Sequence, residues 1–351
     1  MIRLFTIAAF LLGIAVPAWA QFLAYDTLTI PPSSDSNGIF TAIAADSVGT
    51  IIIADDRGIL YRSTNNGDVW DTMIPHIYIP VYSTPWLSVE PDSSWLLVSF
   101  GDIHGARYRS IDRGLTWTFI SEWAYSLYGE PKMVEDGKGR LWQSGTSYST
   151  DYGKTWTQLP WPWPQKEIYC FCVTPKGTVL TATDDGVVRS SDLGKTWTQV
   201  WEDTVTVDGE FLNFGGSSTN FLRTTDGIYV YENGGVNNPF LSVDDGATFK
   251  PIPLSHVAPQ AGYTSAFLEL DGTSKSDLFA RRDSSVFHSA DAGQHWKLLN
   301  NLPRDDFSGV DWNGASPHMA RSGDYLFIIT GNFDYGVGYP GKRKVWRMKL
   351  K

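Results

Sequence analysis

The sequence predicts an all-β fold, a seven-bladed β-propeller with four strands in each blade, and three observations support this prediction. An eight-residue pattern recurs six times along the 351 residues. The first and last copies begin at Ser63 and Ser289, 226 residues apart, so five intervals give a repeat of about 45 residues, the usual length of a four-stranded propeller blade. Segments rich in β-branched and aromatic residues flank the copies, as strands should.

The repeated pattern is Ser-x-Asp-x-Gly-x-Thr-Trp, and we call each copy a box. Three copies match at every position, at residues 110–117, 149–156 and 190–197, and three have changed in part, at residues 63–70, 242–249 and 289–296. The third position holds Asn65, Asp112, Asp151, Asp192, Asp244 and Asp291. The last position holds Trp70, Trp117, Trp156, Trp197, Phe249 and Trp296.

Each box is predicted to be the hairpin turn between two strands of one blade. The carboxylate at the third position can accept hydrogen bonds from amides of the turn, and the glycine can adopt a positive φ at little cost. The terminal tryptophan offers a large apolar face that can pack between neighbouring sheets. We therefore expect the box residues to be structural.

The pattern resembles the Asp-box, or BNR, repeat of sialidases, sortilin-type domains, bacterial xyloglucanases and the photosystem II assembly factor propeller. The resemblance implies a β-propeller whose Asp-box hairpins lie on the rim opposite the working face. It covers residues 21–351 at the level of repeats, and repeats specify a fold far better than a function. The box aspartates are therefore not expected to be catalytic.

The first 20 residues predict a secretory signal peptide. One basic residue, Arg3, precedes an apolar stretch over residues 4–16, and Ala18 and Ala20 form an A-x-A-like cleavage site. The stretch is shorter than the ~20 residues of a membrane-spanning helix. We expect cleavage after Ala20 and a secreted or periplasmic chain with no membrane span.

The remaining 331 residues divide into about seven repeats, so residues 21–351 are expected to form one seven-bladed domain. The seventh blade has no box: residues 324–330 and 344–350 supply two strands, and the chain then ends. Residues 25–31 (YDTLTIP) resemble residues 70–75 (WDTMIP), which follow the first box. We therefore expect the N-terminal strand to be the outer strand of the last blade, where it closes the ring and removes an open edge.

Charge and cysteine content exclude several classes of partner and site. The 28 Lys and Arg against 38 Asp and Glu give a net charge of -10, which argues against a nucleic acid or an anionic membrane as partner. Cys170 and Cys172 are too few for a disulfide scaffold and are expected to be free, buried thiols. The six histidines fall in no metal-ligand spacing. No metal and no cofactor is expected, and we expect a monomer.

Any ligand site is predicted on the face opposite the boxes, where the links between blades and the turns between second and third strands lie. The candidates are charged residues near one turn and aromatic residues of the links: Asp102, His104, Arg107, Trp123, Trp161 and Trp163. Flat rings stack on sugars or peptides, and charged side chains fix the orientation of a ligand. A salt-bridged loop and a stiff Trp-Pro-Trp-Pro link explain the same residues without any ligand.

Two functions stay open: non-catalytic recognition or scaffolding of a protein or glycan, and hydrolysis of a glycoside, sialidase-like or xyloglucanase-like. Sialidases carry an early Phe/Tyr-Arg-Ile-Pro motif that is absent here. The xyloglucanases place catalytic aspartates across a cleft between two propellers, whereas this chain predicts one propeller. Asp55, Asp102 and Asp185 could form a carboxylate pair, but the sequence does not supply the separation that a glycosidase needs. We assign no catalytic residue and favour recognition.

Overall fold

The computed structural model describes most of the chain as strands and turns. It describes residues 23–30, 40–55, 58–73, 86–90, 93–100, 104–124, 133–143, 145–164, 166, 168–183, 185–202, 219–232, 238–254, 268–282, 284–303, 319–330 and 344–350. In these ranges no helix has the length and apolar character needed to cross a bilayer. The predicted signal peptide, residues 1–20, lies outside the described residues. Its cleavage after Ala20 therefore stays a prediction.

The described strands form seven antiparallel sheets of four, which confirms the predicted seven-bladed propeller. Blade 1 contains β2 (Phe40–Ala45), β3 (Ile51–Asp55), β4 (Leu60–Ser63) and β5 (Asp71–Met73). Blade 2 contains β6 (Trp86–Val89), β7 (Trp95–Phe100), β8 (His104–Ser110) and β9 (Thr118–Ala124). Blade 3 contains β10 (Met133–Glu135), β11 (Leu141–Gln143), β12 (Ser147–Ser149) and β13 (Thr157–Gln158).

The next three blades repeat this order. Blade 4 contains β14 (Ile168–Val173), β15 (Val179–Thr183), β16 (Gly186–Ser190) and β17 (Thr198–Glu202). Blade 5 contains β18 (Thr219–Arg223), β19 (Ile228–Glu232), β20 (Phe240–Ser242) and β21 (Lys250–Pro251). Blade 6 contains β22 (Leu268–Ser274), β23 (Asp277–Arg282), β24 (Ser285–Ser289) and β25 (Lys297–Asn301).

The seventh blade combines both ends of the chain. It contains β26 (Met319–Ser322), β27 (Tyr325–Thr330) and β28 (Lys344–Lys349), and its outer strand is β1 (Tyr25–Leu28), which is antiparallel to β28. Asp26 pairs with Arg347 in the way that Asp71, just after the first box, pairs with Arg62. The sequence likeness between these two segments therefore reflects equivalent positions, and the predicted closure of the ring is confirmed.

The core lies between the blades and around the axis. The first strands of neighbouring blades touch, as β2 does with β6 and β26, so they surround the axis and the fourth strands lie outermost. On β3, Ile52 packs with Leu97 of blade 2, whereas the next residue, Ile53, packs with Phe327 of blade 7. Alternate residues of one strand thus face opposite neighbours. This burial on both faces explains why the inner strands lack polar alternation.

Each box forms a compact turn between the third and fourth strands of its blade. In blade 2 the hydroxyl of Ser110 donates to Asp112 Oδ1 at 2.7 Å and accepts from the amide of Gly114 at 2.8 Å. The amide of Thr116 also donates to Asp112 Oδ1, at 2.8 Å. The first box keeps these bonds through the side-chain oxygen of Asn65. The turn therefore needs an oxygen acceptor at its third position, but not a charge.

The box backbone has a feature at its fourth position that the sequence analysis did not predict. The prediction gave a positive φ to the glycine, which the structure confirms with Gly67 at 83° and Gly194 at 75°. The residue before each glycine is also left-handed, with φ between 57° and 64°, at Asn66, Arg113, Tyr152, Leu193, Asp245 and Ala292. Only asparagine and aspartate tolerate this conformation readily. The hydrogen bonds of the turn therefore hold four other residue types in a costly conformation.

The box glycines are also the points where one blade fits against the one before it. A Cβ atom on Gly194 of blade 4 would lie 2.7 Å from Leu159 Cβ, which follows the outer strand of blade 3. A Cβ atom on Gly67 of blade 1 would lie 2.6 Å from Leu28 of β1 in blade 7. Such distances are too short for real atoms, so these positions require glycine for space as well as for φ.

The arginine that directly precedes the first serine of a box contacts the box of the following blade. Arg62 Nε donates to the carbonyl of Arg113 at 2.7 Å, and Arg189 Nε donates to the carbonyl of Asp245 at 3.0 Å. The guanidinium of Arg109 lies over the ring of Tyr152, 4.3 Å from its centroid. The sequence analysis did not anticipate these contacts, although the arginines stand in register with the repeat.

Arg347 makes the corresponding contact where the ring closes. Its Nη1 donates to the carbonyl of Asn66 at 2.8 Å and to Asp68 Oδ1 at 2.5 Å, and its Nη2 donates to Asp26 Oδ2 at 3.2 Å. One guanidinium therefore joins blade 7, the box of blade 1 and the N-terminal strand.

Both cysteines lie buried on β14 and neither forms a disulfide, as predicted. Burial raises the pKa of the Cys172 thiol to about 11, so the reactive thiolate is disfavoured.

We expect Arg347→Ala to lower the free energy of unfolding by about 2 kcal/mol, because it removes charge-assisted hydrogen bonds at the closure of the ring. Arg62→Ala is the matched control, since it removes a neutral-acceptor hydrogen bond, to the carbonyl of Arg113, worth about 1 kcal/mol. Urea unfolding of both variants measures the difference. An Arg347→Ala variant as stable as the control would contradict the role given to this side chain.

Candidate functional site

The antiparallel order of each blade divides the turns of the propeller between its two ends. Turns between first and second strands share one end with the boxes, which we call the box end. Links between blades and turns between second and third strands share the opposite end, which we call the link end. The sequence analysis placed any ligand site at the link end.

The box end carries carboxylates that are already fully engaged. Asp151 accepts hydrogen bonds from the amide of Thr155 at 2.8 Å, from its hydroxyl at 2.7 Å and from Ser149 Oγ at 2.7 Å. These bonds, those from Thr155 first, lower the pKa of Asp151 to about 2. The pKa of Asp192 is lowered to about 2 in the same way, with the hydroxyl of Thr196 as the largest cause. Such groups are fixed anions near neutral pH and are unsuited to proton transfer.

Three of the four candidates near the predicted turn of blade 2 lie on strands, His104 and Arg107 on β8 and Trp123 on β9. Asp102 lies outside the described residues, and of His104 and Trp123 only the backbone is described. His104 pairs with Ala124 and Gly105 with Trp123, so the backbones of His104 and Trp123 are adjacent at the link end of these strands.

Arg107 follows on the same strand but does not lie on the surface. Its side chain is buried, and Nη1 donates to Ser121 Oγ at 3.3 Å on the neighbouring strand. Burial lowers the pKa of Arg107 to about 10. This arginine is a packed residue of blade 2, and the structure does not bring it together with the two tryptophans of the link after β13.

Those two tryptophans, Trp161 and Trp163, meet a third one in the link between blades 3 and 4. The ring centroids of Trp161 and Trp163 are 5.4 Å apart and those of Trp161 and Trp197 are 5.0 Å apart, both edge to face. All three side chains are half-buried. We call these three residues the tryptophan cluster.

The proline-rich sequence of the link explains why the rings are held there. Three exposed prolines precede, separate and follow Trp161 and Trp163: Pro160, Pro162 and Pro164. Each proline ring fixes its own backbone φ angle and so stiffens the link. The indole nitrogen of Trp197 donates to the carbonyl of Pro160 at 2.8 Å, which fastens the link to the box of blade 4. The cluster therefore extends from a box residue towards the link end.

A charged pair borders the tryptophan cluster. Lys166 Nζ lies 5.0 Å from the centroid of the Trp163 ring and 2.6 Å from Asp185 Oδ2. Asp185 belongs to the turn between the second and third strands of blade 4 and is mostly exposed. Gln199 Nε2 donates to the backbone carbonyl of Asp185 at 2.8 Å and steadies this turn. An aromatic surface thus lies beside an ion pair that a polar ligand can reach.

The sequence analysis missed Trp197 and Lys166 as members of this site. Trp197 was assigned only to its box, although every box tryptophan is a candidate for contact with the preceding blade. Lys166 lies two residues after the last proline of the link, and its position in sequence was the one available signal.

Of the three aspartates considered for a carboxylate pair, the two that the structure describes, Asp55 and Asp185, belong to blades 1 and 4. Asp55 is fully buried and accepts from the amide of Ile59 at 2.8 Å and from Tyr61 Oη at 3.1 Å, which holds the turn after β3. Asp185 is paired with Lys166, and Asp102 is not described. Among the described residues, no group of three or more His, Cys, Asp or Glu side chains could hold a metal ion.

The chain matches no protein-family model and no curated protein. Solved structures do share its fold. YCF48 bound to D1 peptide is similar at a TM-score of 0.59 and 15% identity, over 94% of this chain and 96% of that one.

Two structures from other functional classes are equally similar. The GH74 xyloglucanase from Xanthomonas campestris has a TM-score of 0.59 and 13% identity, over 94% of this chain and 54% of that one. A streptogramin B lyase has a TM-score of 0.60 and 11% identity, over 94% of this chain and 98% of that one. At these identities the likeness establishes the propeller fold and leaves the function to the site.

We expect Asp151→Ala to lower the melting temperature, because three donors of the turn, the amide and hydroxyl of Thr155 and the hydroxyl of Ser149, lose their acceptor. Asp151→Asn should lose less, since the natural box of blade 1 works with Asn65. Binding of any ligand by the folded protein should be unchanged in both variants. An unchanged melting temperature with lost binding would contradict the structural role of the boxes.

The same carboxylate predicts a pH dependence. The pKa of Asp151 is lowered from 3.8 to about 2 in the folded chain, so its ionised form stabilises the fold above pH ~4, and this stabilisation is lost as the pH falls towards 2. The difference in melting temperature between the natural chain and Asp151→Asn should therefore shrink between pH 5 and pH 2. A difference that stays constant over this range would show that the charge is not involved.

Proposed function

We propose that this chain is a secreted, non-catalytic recognition or scaffold propeller of the Asp-box class, which binds a protein or glycan ligand on a surface that extends from the last box residue of blade 4 towards the link end. Secretion rests on the signal-peptide pattern of residues 1–20. The assignment to the Asp-box class rests on the six boxes and their turns. The ligand site that we propose is the tryptophan cluster with Lys166 and Asp185.

The observation that carries this proposal is the composition of that site. Trp161, Trp163 and Trp197 present partly exposed rings that are held by edge-to-face contacts and by prolines, so little conformational entropy is lost when a ligand binds. Aromatic faces stack on sugar rings and on proline-rich peptides. The pair of Lys166 and Asp185 beside the rings offers both a hydrogen-bond donor and an acceptor to a hydroxyl or a peptide group.

A solved propeller of nearly the same length supports the choice of recognition. The match to the structure described as YCF48 bound to D1 peptide covers 96% of that chain and 94% of this one. A single propeller of this size can therefore hold a peptide. The likeness extends to the fold, and we carry over neither that peptide nor its binding residues.

A glycoside hydrolase is the second candidate, because the xyloglucanase is as similar in fold as the peptide-binding propeller. This chain spans 54% of that enzyme. Hydrolysis would require two carboxylates converging on the sugar, whereas a binding module requires only a shaped surface with satisfied polar groups.

Binding of purified residues 21–351 to a glycan array and to a peptide array tests the proposal, with mass analysis of the same spots for cleavage. We expect binding without any change in the mass of the bound ligand. Binding with cleavage would favour the hydrolase. If the folded chain binds nothing on either array, recognition at this site is contradicted.

We expect Trp163→Ala to weaken binding by about tenfold or more, because an aromatic contact at the centre of a small site commonly contributes over 1 kcal/mol. Its melting temperature should change little, since Trp163 has one aromatic neighbour. Trp161→Ala is the matched variant, and because Trp161 packs against two rings it should lower the free energy of unfolding by about 2 kcal/mol. Equal affinity of Trp163→Ala and the natural chain would place the ligand elsewhere.

A further inference from the structure

A buried carboxyl group bridges the first strands of blades 2 and 3. Glu90 follows β6 and is almost fully buried. Its Oε2 accepts a hydrogen bond from the amide of Glu135 on β10 at 2.6 Å, and its Oε1 is hydrogen-bonded to the hydroxyl of Ser88 on its own strand. The carboxyl group is therefore part of the joint between the two blades.

The charged groups that face Glu90 do not neutralise it. Glu135 brings a second carboxyl group close by, and Arg223 of blade 5 brings a guanidinium. Arg223 Nη1 donates to the backbone carbonyl of Val173 at 2.5 Å and to that of Glu135 at 3.3 Å. Within the described ranges this arginine is thus bonded to main-chain oxygens, and no ion pair joins it to Glu90. Burial is the largest effect and raises the pKa of Glu90 to about 7.

The burial of Glu90, and not its hydrogen bonds, favours a neutral carboxylic acid. Such an acid has one O–H donor and retains acceptor capacity on its other oxygen. Oε2 accepts from the amide of Glu135 and Oε1 accepts from the hydroxyl of Ser88, and these two bonds lower the pKa of Glu90, but by less than its burial raises it. Loss of the proton leaves a buried charge that these two hydrogen bonds and a guanidinium already bonded to main-chain oxygens offset only in part, which is costly.

Asp271, near the end of the first strand of blade 6, is a second acid of this kind. Its Oδ2 is shielded from solvent and has no hydrogen-bond partner among the described residues. Glu269 and Arg321 face it with opposite charges, and Arg321 is already paired with Asp277. Tyr231 of blade 5 also lies near it. Burial raises the pKa of Asp271 to about 7.

We propose that the inner ring of this propeller is a pH-sensitive joint, which is tight while Glu90 carries its proton and weakened when that carboxyl ionises, with Asp271 adding a second contribution in blade 6. This property is independent of the ligand and of the tryptophan cluster. The pH-dependent contact lies between the inner strands of neighbouring blades, near the axis, and not on the outer surface.

The direction of the pH dependence follows from the two states of Glu90. Its pKa is about 7 in the folded chain and 4.5 in the unfolded one, so its contribution to stability is complete below pH ~4.5 and is lost as the pH rises through 7. The box aspartates act in the opposite direction, but only below pH ~4. The chain should therefore be most stable in a mildly acidic medium, at about pH 4 to 5.

Urea unfolding of residues 21–351 between pH 4.5 and pH 8.5 tests the proposal. In the natural chain the folding equilibrium constant should fall by about a hundredfold from Glu90 alone. Glu90→Gln keeps the shape of the protonated acid but cannot ionise. Its folding equilibrium constant should therefore lack this hundredfold fall and should exceed that of the natural chain at pH 8. The matched control is Glu122→Gln on β9, an exposed position, which should follow the natural chain throughout.

Parallel pH profiles for Glu90→Gln, Glu122→Gln and the natural chain would overturn the proposal. If Glu90→Gln does not fold, hydrogen exchange of the natural chain provides the test. The amide of Glu135, which Glu90 holds, should lose protection between pH 6 and pH 8 relative to the amide of Gly114 in the box of blade 2. Equal protection of the two amides across this range would equally overturn it.

Discussion

The close approach of each box to the blade before it is the contact on which the ring depends. Gly67 and Gly194 leave no room for a Cβ atom against Leu28 and Leu159, and the left-handed residue before each glycine turns the backbone into this position. Because the contact repeats around the axis, a blade that is displaced at one box would also displace the strands where the ring closes. Arg347 and the N-terminal strand complete the circle at that point, where the seventh blade has no box of its own.

Much of this architecture could be predicted from the sequence, since it is encoded by spacing. The 45-residue repeat predicted the number of blades, and the likeness of residues 25–31 to residues 70–75 predicted that the N-terminal strand closes the last blade. The contacts between blades could not be predicted, because they depend on how the sheets pack: Arg62 reaching Arg113 is one example, and Trp197 joining Trp161 is another. The burial of Arg107 shows the same limit, since its loop position gave no sign that the side chain points into the blade.

Carboxyl groups of one chemical type serve opposite purposes at different places in this ring. Those of the boxes, such as Asp151, lie at the surface and accept several hydrogen bonds, which favours the anion. Those near the axis, such as Glu90, are buried beside few free donors, which favours the neutral acid. Neither environment offers a carboxylate with both access to a ligand and freedom to move a proton. The tryptophan cluster beside Lys166 and Asp185 offers partly exposed aromatic faces instead, and these suit binding.

The central claim is that the boxes hold the ring together while a ligand is held at the tryptophan cluster. Hydrogen exchange of residues 21–351, with and without the ligand that the arrays identify, tests this division most directly. The account predicts new protection at residue 166 and in the turn at Asp185, and unchanged protection at the amides of Gly67, Gly114 and Gly153 in the boxes. Protection that appears at the box amides and not at the tryptophan cluster would contradict it.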